Sequence, residues 1–137
     1  MQLVVNRKAL AKFRRMALRQ HPLEYVSTIW GYAKGEGFVL DEFREIDHDA
    51  TCDSVRFRAE DSAFGTRDGK LILLGTIHSH PDWALCEPSE GDWADAARRN
   101  ELIMGIMAIP QVAKNGIRKR SRVKFFFAQA MCEAKYS

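Results

Sequence analysis

His78 and His80 stand one residue apart, are followed at once by Pro81, and are answered by Asp92 a short distance on. Alternate residues of an extended strand point to the same face, so the two imidazoles can meet one cation. A catalytic zinc takes three protein ligands and keeps one corner open. Asp92 can be the third ligand, presented from the first turn of a following helix, with Pro81 and Pro88 restricting the loop between. Zinc acidifies the water it holds, and a base is then needed for the proton. Glu24, where an apolar strand begins, is the candidate. Each piece also has a plainer reading. A His-x-His pair is commonly two surface imidazoles, and a Glu at a strand entry is commonly solvated. Ser89-x-x-Asp92 is a variant of the capping box, with Ser89 at the N-cap and Asp92 at N3. The cap and ligand readings are compatible, because a capped helix start aims the carboxylate.

These residues need elements to hold them. Leu3 to Val5 reads as a short strand. Asn6 is a good N-cap, and Leu10, Phe13 and Ala17 recur at helical spacing over Arg7 to Gln20. His21-Pro22 ends that helix, since the residue before proline is driven from the helical region. Tyr25 to Tyr32 and Phe38 to Ile46 read as a hairpin around Lys34-Gly35-Glu36-Gly37. His48 to Thr51 reads as loop, Val55, Phe57 and Ala59 as a half-buried strand, and Asp61 to Lys70 as loop. Leu71 to Ile77 is apolar enough for a central strand covered on both faces, and places His78 and His80 at its exposed end. Pro81 to Pro88 is loop, and Ser89 to Glu101 is helical. Leu102 to Ile109 is a buried strand stopped by Pro110. A basic turn at Asn115-Gly116 precedes a last strand, Arg122 to Gln129, and a short tail. Irregular alternation of strands and helices predicts an α/β sandwich on a mixed sheet.

Composition bounds the rest. The 137 residues are 46% hydrophobic and 28% charged, an ordinary globular balance that predicts a single domain over 1–137. Disordered, collagen-like and disulfide-stapled classes are excluded. Cys52, Cys86 and Cys132 are odd in number and far apart, which predicts a reducing, cytoplasmic setting. The longest apolar stretch is too short for a bilayer. Twenty-one Lys and Arg against eighteen Asp and Glu leave a net charge of +3. Arg7 to Arg19 and Lys114 to Lys124 are basic clusters, read as solvated faces, and no nucleic-acid or membrane partner is expected. Trp83 and Cys86 lie in the loop after His80, where both are candidate linings of a substrate channel. Cys86 is open to a free-thiol reading or to an approach to the metal.

Glu24 after Pro22-Leu23, then Leu74-Gly75-Thr76-Ile77-His78-Ser79-His80-Pro81 and Pro88-Ser89-x-x-Asp92, resembles the JAMM (MPN+, or JAB) metalloprotease family. The resemblance spans roughly Leu3 to Gln129. It implies a JAMM/MPN-like, cytidine-deaminase-like α-β-α sandwich around a mixed, curved sheet. It also implies one Zn²⁺ per chain on His78, His80 and Asp92, with Glu24 as general base and Ser89 donating to the developing oxyanion. The implied activity is that of an isopeptidase cutting after the C-terminal glycine of a ubiquitin-like protein. Compact prokaryotic or viral members serve precursor processing or deconjugation, including in defence operons. The alternatives are a non-catalytic MPN-type scaffold and a nucleic-acid-associated protein using its basic faces. One departure stands out: the loop from Pro81 to Pro88 is one residue longer than the usual family spacing. Asp95 is the fallback ligand.

Overall fold

The computed structural model describes residues 2–51, 55–57, 64–80, 86–110 and 112–137, with backbone alone for 56 and 57. The chain opens with β1 (Leu3–Val5) and α1 (Arg7–Gln20). Asn6 caps α1, its side chain accepting from Lys8 N at 3.1 Å and Ala9 N at 3.3 Å. The hairpin follows as β2 (Val26–Lys34) and β3 (Gly37–Glu45). Gly35 turns it with a φ of 59°, a conformation that side chains resist. Then come β4 (His48–Ala50), β5 (Val55–Phe57), β6 (Arg67–Asp68), β7 (Leu71–His80), α2 (Glu90–Arg98), β8 (Ile103–Ala108), β9 (Arg122–Phe127) and β10 (Cys132–Ala134).

The main sheet runs β1-β3-β2-β7-β8-β9-β10, with β6 folded onto β7. β7 and β8 are parallel, and α2 is the crossover that parallel neighbours require. Beyond β10, Leu3 N donates to Lys135 O at 3.2 Å and Val5 N to Ser137 O at 2.9 Å. The two ends of the sheet therefore meet, and the curled sheet wraps α1. Leu10, Phe13 and Ala17 of α1 are buried with Leu40, Ile77, Ile103, Met107 and Phe125. The alternate residues Met104, Ile106, Ala108 and Phe126 turn the other way, onto Ala96 and Trp93 of α2. The two helices thus cover opposite faces, the α/β sandwich with a mixed, curled sheet that the sequence predicts.

Four expectations are corrected. His48 to Thr51, read as loop, contains β4, which pairs antiparallel with β5 in a separate ribbon. Asp61 to Lys70, read as loop, contains β6, which turns into β7 at Gly69. The tail after β9 contains β10 and the closure onto β1. The second helix ends at Arg98 instead of Glu101, because Asn100 takes a φ of 56°. Short polar strands have no hydrophobic periodicity to betray them; the partner backbone decides. Ala59 lies outside the described residues.

Candidate metal centre

β7 carries an inserted residue that aims the histidines. Against β2 the register steps from Ile29↔Gly75 to Trp30↔Leu73, passing over Leu74. A bulge of this kind reverses the alternation. Before it, Ile72 and Leu74 pack in the α1 cluster; beyond it, Ile77 does. His78 and His80 therefore face α2, and β7 runs through both of them instead of stopping short. His78 is buried, 7% exposed, where the sequence placed it at an exposed strand end.

Across from them, α2 begins with a complete capping box. Ser89 Oγ accepts from Asp92 N at 3.1 Å, and Ser89 N donates to Asp92 Oδ2 at 2.9 Å. That fixes the Asp92 carboxylate against both rings. Its Oδ1 lies 3.3 Å from His78 Nε2 and its Oδ2 lies 3.1 Å from His80 Nε2. The two Nε2 atoms are 3.0 Å apart. Two ring nitrogens and both oxygens of one carboxylate thus face one centre. Ligands about 2.0–2.1 Å from a tetrahedral zinc stand about 3.3 Å from one another, a spacing that each of these three distances approaches. An oxygen of Glu24 and a ring nitrogen of each histidine all lie within 4.8 Å of one another.

The electrostatics favour a cation. Burial alone would raise the Asp92 carboxyl, but hydrogen bonds with His78 and His80, the His78 charge and the Ser89 N–H hold it far below the usual carboxylate range. Burial likewise opposes charge on His78. The Asp92 bond and the charges of Asp92, Glu24 and Glu101 outweigh it, and the net shift is upward.

Glu24 is 5% exposed and precedes β2. Its N–H donates to Thr51 O at 2.9 Å. The neighbouring Tyr25 is clamped at both backbone ends by Ser79: Tyr25 N donates to Ser79 Oγ at 2.9 Å, and Ser79 N to Tyr25 O at 2.9 Å. The residue between the histidines thereby holds the candidate base opposite them. Sequence reasoning missed Ser79, although its burial between two ligand positions is signalled by the apolar strand before it. It also missed Glu101, which is fully buried on the face of the histidines. Glu101 accepts from Thr76 Oγ1 and, at 2.9 Å, from Arg99 NH2.

The remaining candidates divide. Cys86 is buried with Ala96, Met104 and Ile106, and its Sγ donates to Ile106 O and Arg122 O, each at 3.5 Å. Burial pushes its thiol up. It packs against the α2 face as a buried free thiol. Asp95 instead pairs with Arg98 at 2.8 Å. Trp83 lies outside the described residues.

With the fold and the centre in view, the chain can be set beside known proteins. The profile described as prokaryotic homologs of the JAB domain matches residues 6–123. The chain belongs to that family. Among solved structures, this JAB-family chain is similar to a JAB1/MPN domain protein from Archaeoglobus fulgidus. The two are 20% identical with a TM-score of 0.63, covering 99% of this chain and 98% of that one. A structure described as a JAMM metalloprotease-like zinc site in the proteasome and signalosome aligns with 19% identity and a TM-score of 0.57, over 100% and 99% of the two chains. A protein from Desulfitobacterium hafniense aligns with 16% identity and a TM-score of 0.67, over 99% and 92%. No curated protein matches in sequence. Among the described residues no helix is long and apolar enough to cross a membrane.

Proposed function

We propose that this JAB-family protein is a zinc-dependent peptidase that cuts after the C-terminal glycine of a ubiquitin-like protein, in deconjugation or precursor processing. The observation that carries the reading is the meeting of His78 Nε2, His80 Nε2 and the Asp92 carboxylate within 3.3 Å, with Glu24 beside them. A zinc ion held by those three would polarise a carbonyl and acidify a water. Glu24, buried and fixed through Thr51 and Tyr25, accepts the proton of the attacking water and returns it to the leaving nitrogen. The Ser89 oxygen is engaged as a cap acceptor, which leaves its O–H hydrogen for the oxygen of the tetrahedral intermediate. The β4–β5 ribbon adjoins Glu24 through the Thr51 carbonyl, and its backbone can pair with an extended tail. A cytoplasmic setting and partners from a conjugation system belong to the same reading.

The test is incubation of the purified protein with several ubiquitin-like proteins carrying C-terminal fusions, followed by intact mass. Cleavage after the terminal glycine that stops with a chelator and returns with zinc is expected. A zinc-loaded protein that leaves the whole panel intact would return it to the scaffold reading.

A further inference from the structure

The two basic runs of the sequence are one surface. Arg14 NH1 donates to Ser121 O at 3.0 Å and to Ser121 Oγ at 3.4 Å, which ties α1 to the segment entering β9. The Arg7 guanidinium lies over the Tyr136 ring, 5.3 Å from its centroid. Burial, then the charge of Arg120 and, more weakly, that of Arg7, depress the Arg14 pKa against an opposing pull from Tyr136. Along α1, Lys8, Lys12, Arg15 and Arg19 follow at spacings of three and four residues and are exposed.

Arg7 and Arg14 serve the fold through Tyr136 and Ser121, whereas Lys8, Lys12, Arg15 and Arg19 face solvent. Like charges three and four residues apart destabilise a helix. Arg7 and Lys8 in the first turn oppose the helix dipole, and that turn holds no acidic residue. The apolar core contacts of α1 are made by Leu10, Phe13 and Ala17, with Met16 packed against them. Arg19 in the last turn suits the dipole, but the run as a whole is a cationic face that can steer an anionic partner.

Its position names the partner. Ala108 pairs with His80 on one side and with Arg122 on the other. Strands lie about 4.8 Å apart, so Arg122 stands about 10 Å from the candidate ligand His80, and the neighbouring Ser121 leads from it to Arg14 on the α1 face. The turn that leads into it carries Ile117, 64% exposed, and Val112, 51% exposed. Exposed aliphatics among cations suit a folded protein face that is acidic and partly apolar. A phosphodiester backbone offers nothing to them. We propose that α1 and the segment from residue 117 to residue 122 form a docking face for the acidic body of the protein whose tail enters the metal centre. This rests on the peptidase reading for the identity of the tail, while the docking itself needs no turnover.

The test uses a labelled short peptide of glutamates interspersed with leucines, beside single-stranded and duplex oligonucleotides of equal charge, read by fluorescence anisotropy. The full chain should bind the peptide at least as tightly as the oligonucleotides. Combined Lys8→Glu, Arg15→Glu and Arg120→Glu should weaken the peptide by about tenfold or more. Arg15→Lys with Arg120→Lys should retain it, which separates charge from folding. Ile117→Ser should weaken the peptide and leave the oligonucleotides alone. His78→Ala should bind as the parent does, whatever becomes of catalysis. Tighter binding of the oligonucleotides, indifferent to Ile117→Ser, would overturn the proposal in favour of a nucleic-acid surface. Failure to bind the peptide, or binding that survives charge reversal, would overturn it outright.

Discussion

Ser79 points away from the two histidines that flank it and acts on the site from behind. Its hydroxyl is the acceptor for the buried Tyr25 N–H. Ser79→Ala leaves that donor unmatched, at a cost of about 1–3 kcal/mol. It should slow turnover while zinc content stays near one per chain, which elemental analysis beside a rate measurement would reveal. Glu24→Gln tests the base itself. The amide cannot take a proton from water, so turnover should fall by about 10²–10⁴-fold with zinc and melting temperature retained; an active Gln variant would reassign the base. The candidate ligands could be read from types and spacing alone, because two histidines on a strand and a carboxylate at a helix cap are local patterns. Ser79 and Glu101 were not readable in this way. Their roles exist only once β2 and α2 are packed beside β7.

At the scale of elements, β7 decides the most. The extra residue at Leu74 switches which face its side chains take, and Gly75 follows at once. A Cβ on Gly75 would collide with the Ile103 carbonyl of β8, the strand that runs parallel to the histidine segment. Gly75→Ala must push β8 aside, an overpacking cost of about 1–3 kcal/mol. It should lower stability and zinc affinity together, seen as a reduced urea midpoint and weaker zinc retention against a chelator. Loss of stability with unchanged zinc affinity would mean that β7 and β8 do not jointly set the ligands. The sequence showed a buried strand here but no bulge, since a single added apolar residue leaves an apolar run looking the same. The helices were more legible. Asn6 and Ser89 mark both helix starts by a local side-chain to backbone bond.

For the whole molecule, the centre joins three parts of the chain: the entry to β2, the end of β7 and the start of α2. An ion that binds only this assembled set stabilises the fold by mass action, by about 2.7 kcal/mol at a hundredfold excess over its dissociation constant. Zinc should therefore raise the melting temperature, and His78→Ala should abolish the rise. The gain should shrink as pH falls. Burial disfavours a proton on His78, but Asp92, Glu24 and Glu101 more than restore it. The imidazole therefore begins to take up protons above its ordinary pKa, and each proton competes with the ion. A melting shift that grew on acidification would contradict this.

The amino-acid sequence alone determined the candidate ligand types, both helix caps, the hairpin turn and the buried strands, because each depends on residues within a few positions of one another. The tertiary structure decided which face the histidines take, what holds Glu24 in place, that the residues after β10 close the sheet onto β1, and that two distant basic runs form one surface. Those are properties of strand register and of contacts between remote segments, and no local pattern encodes them.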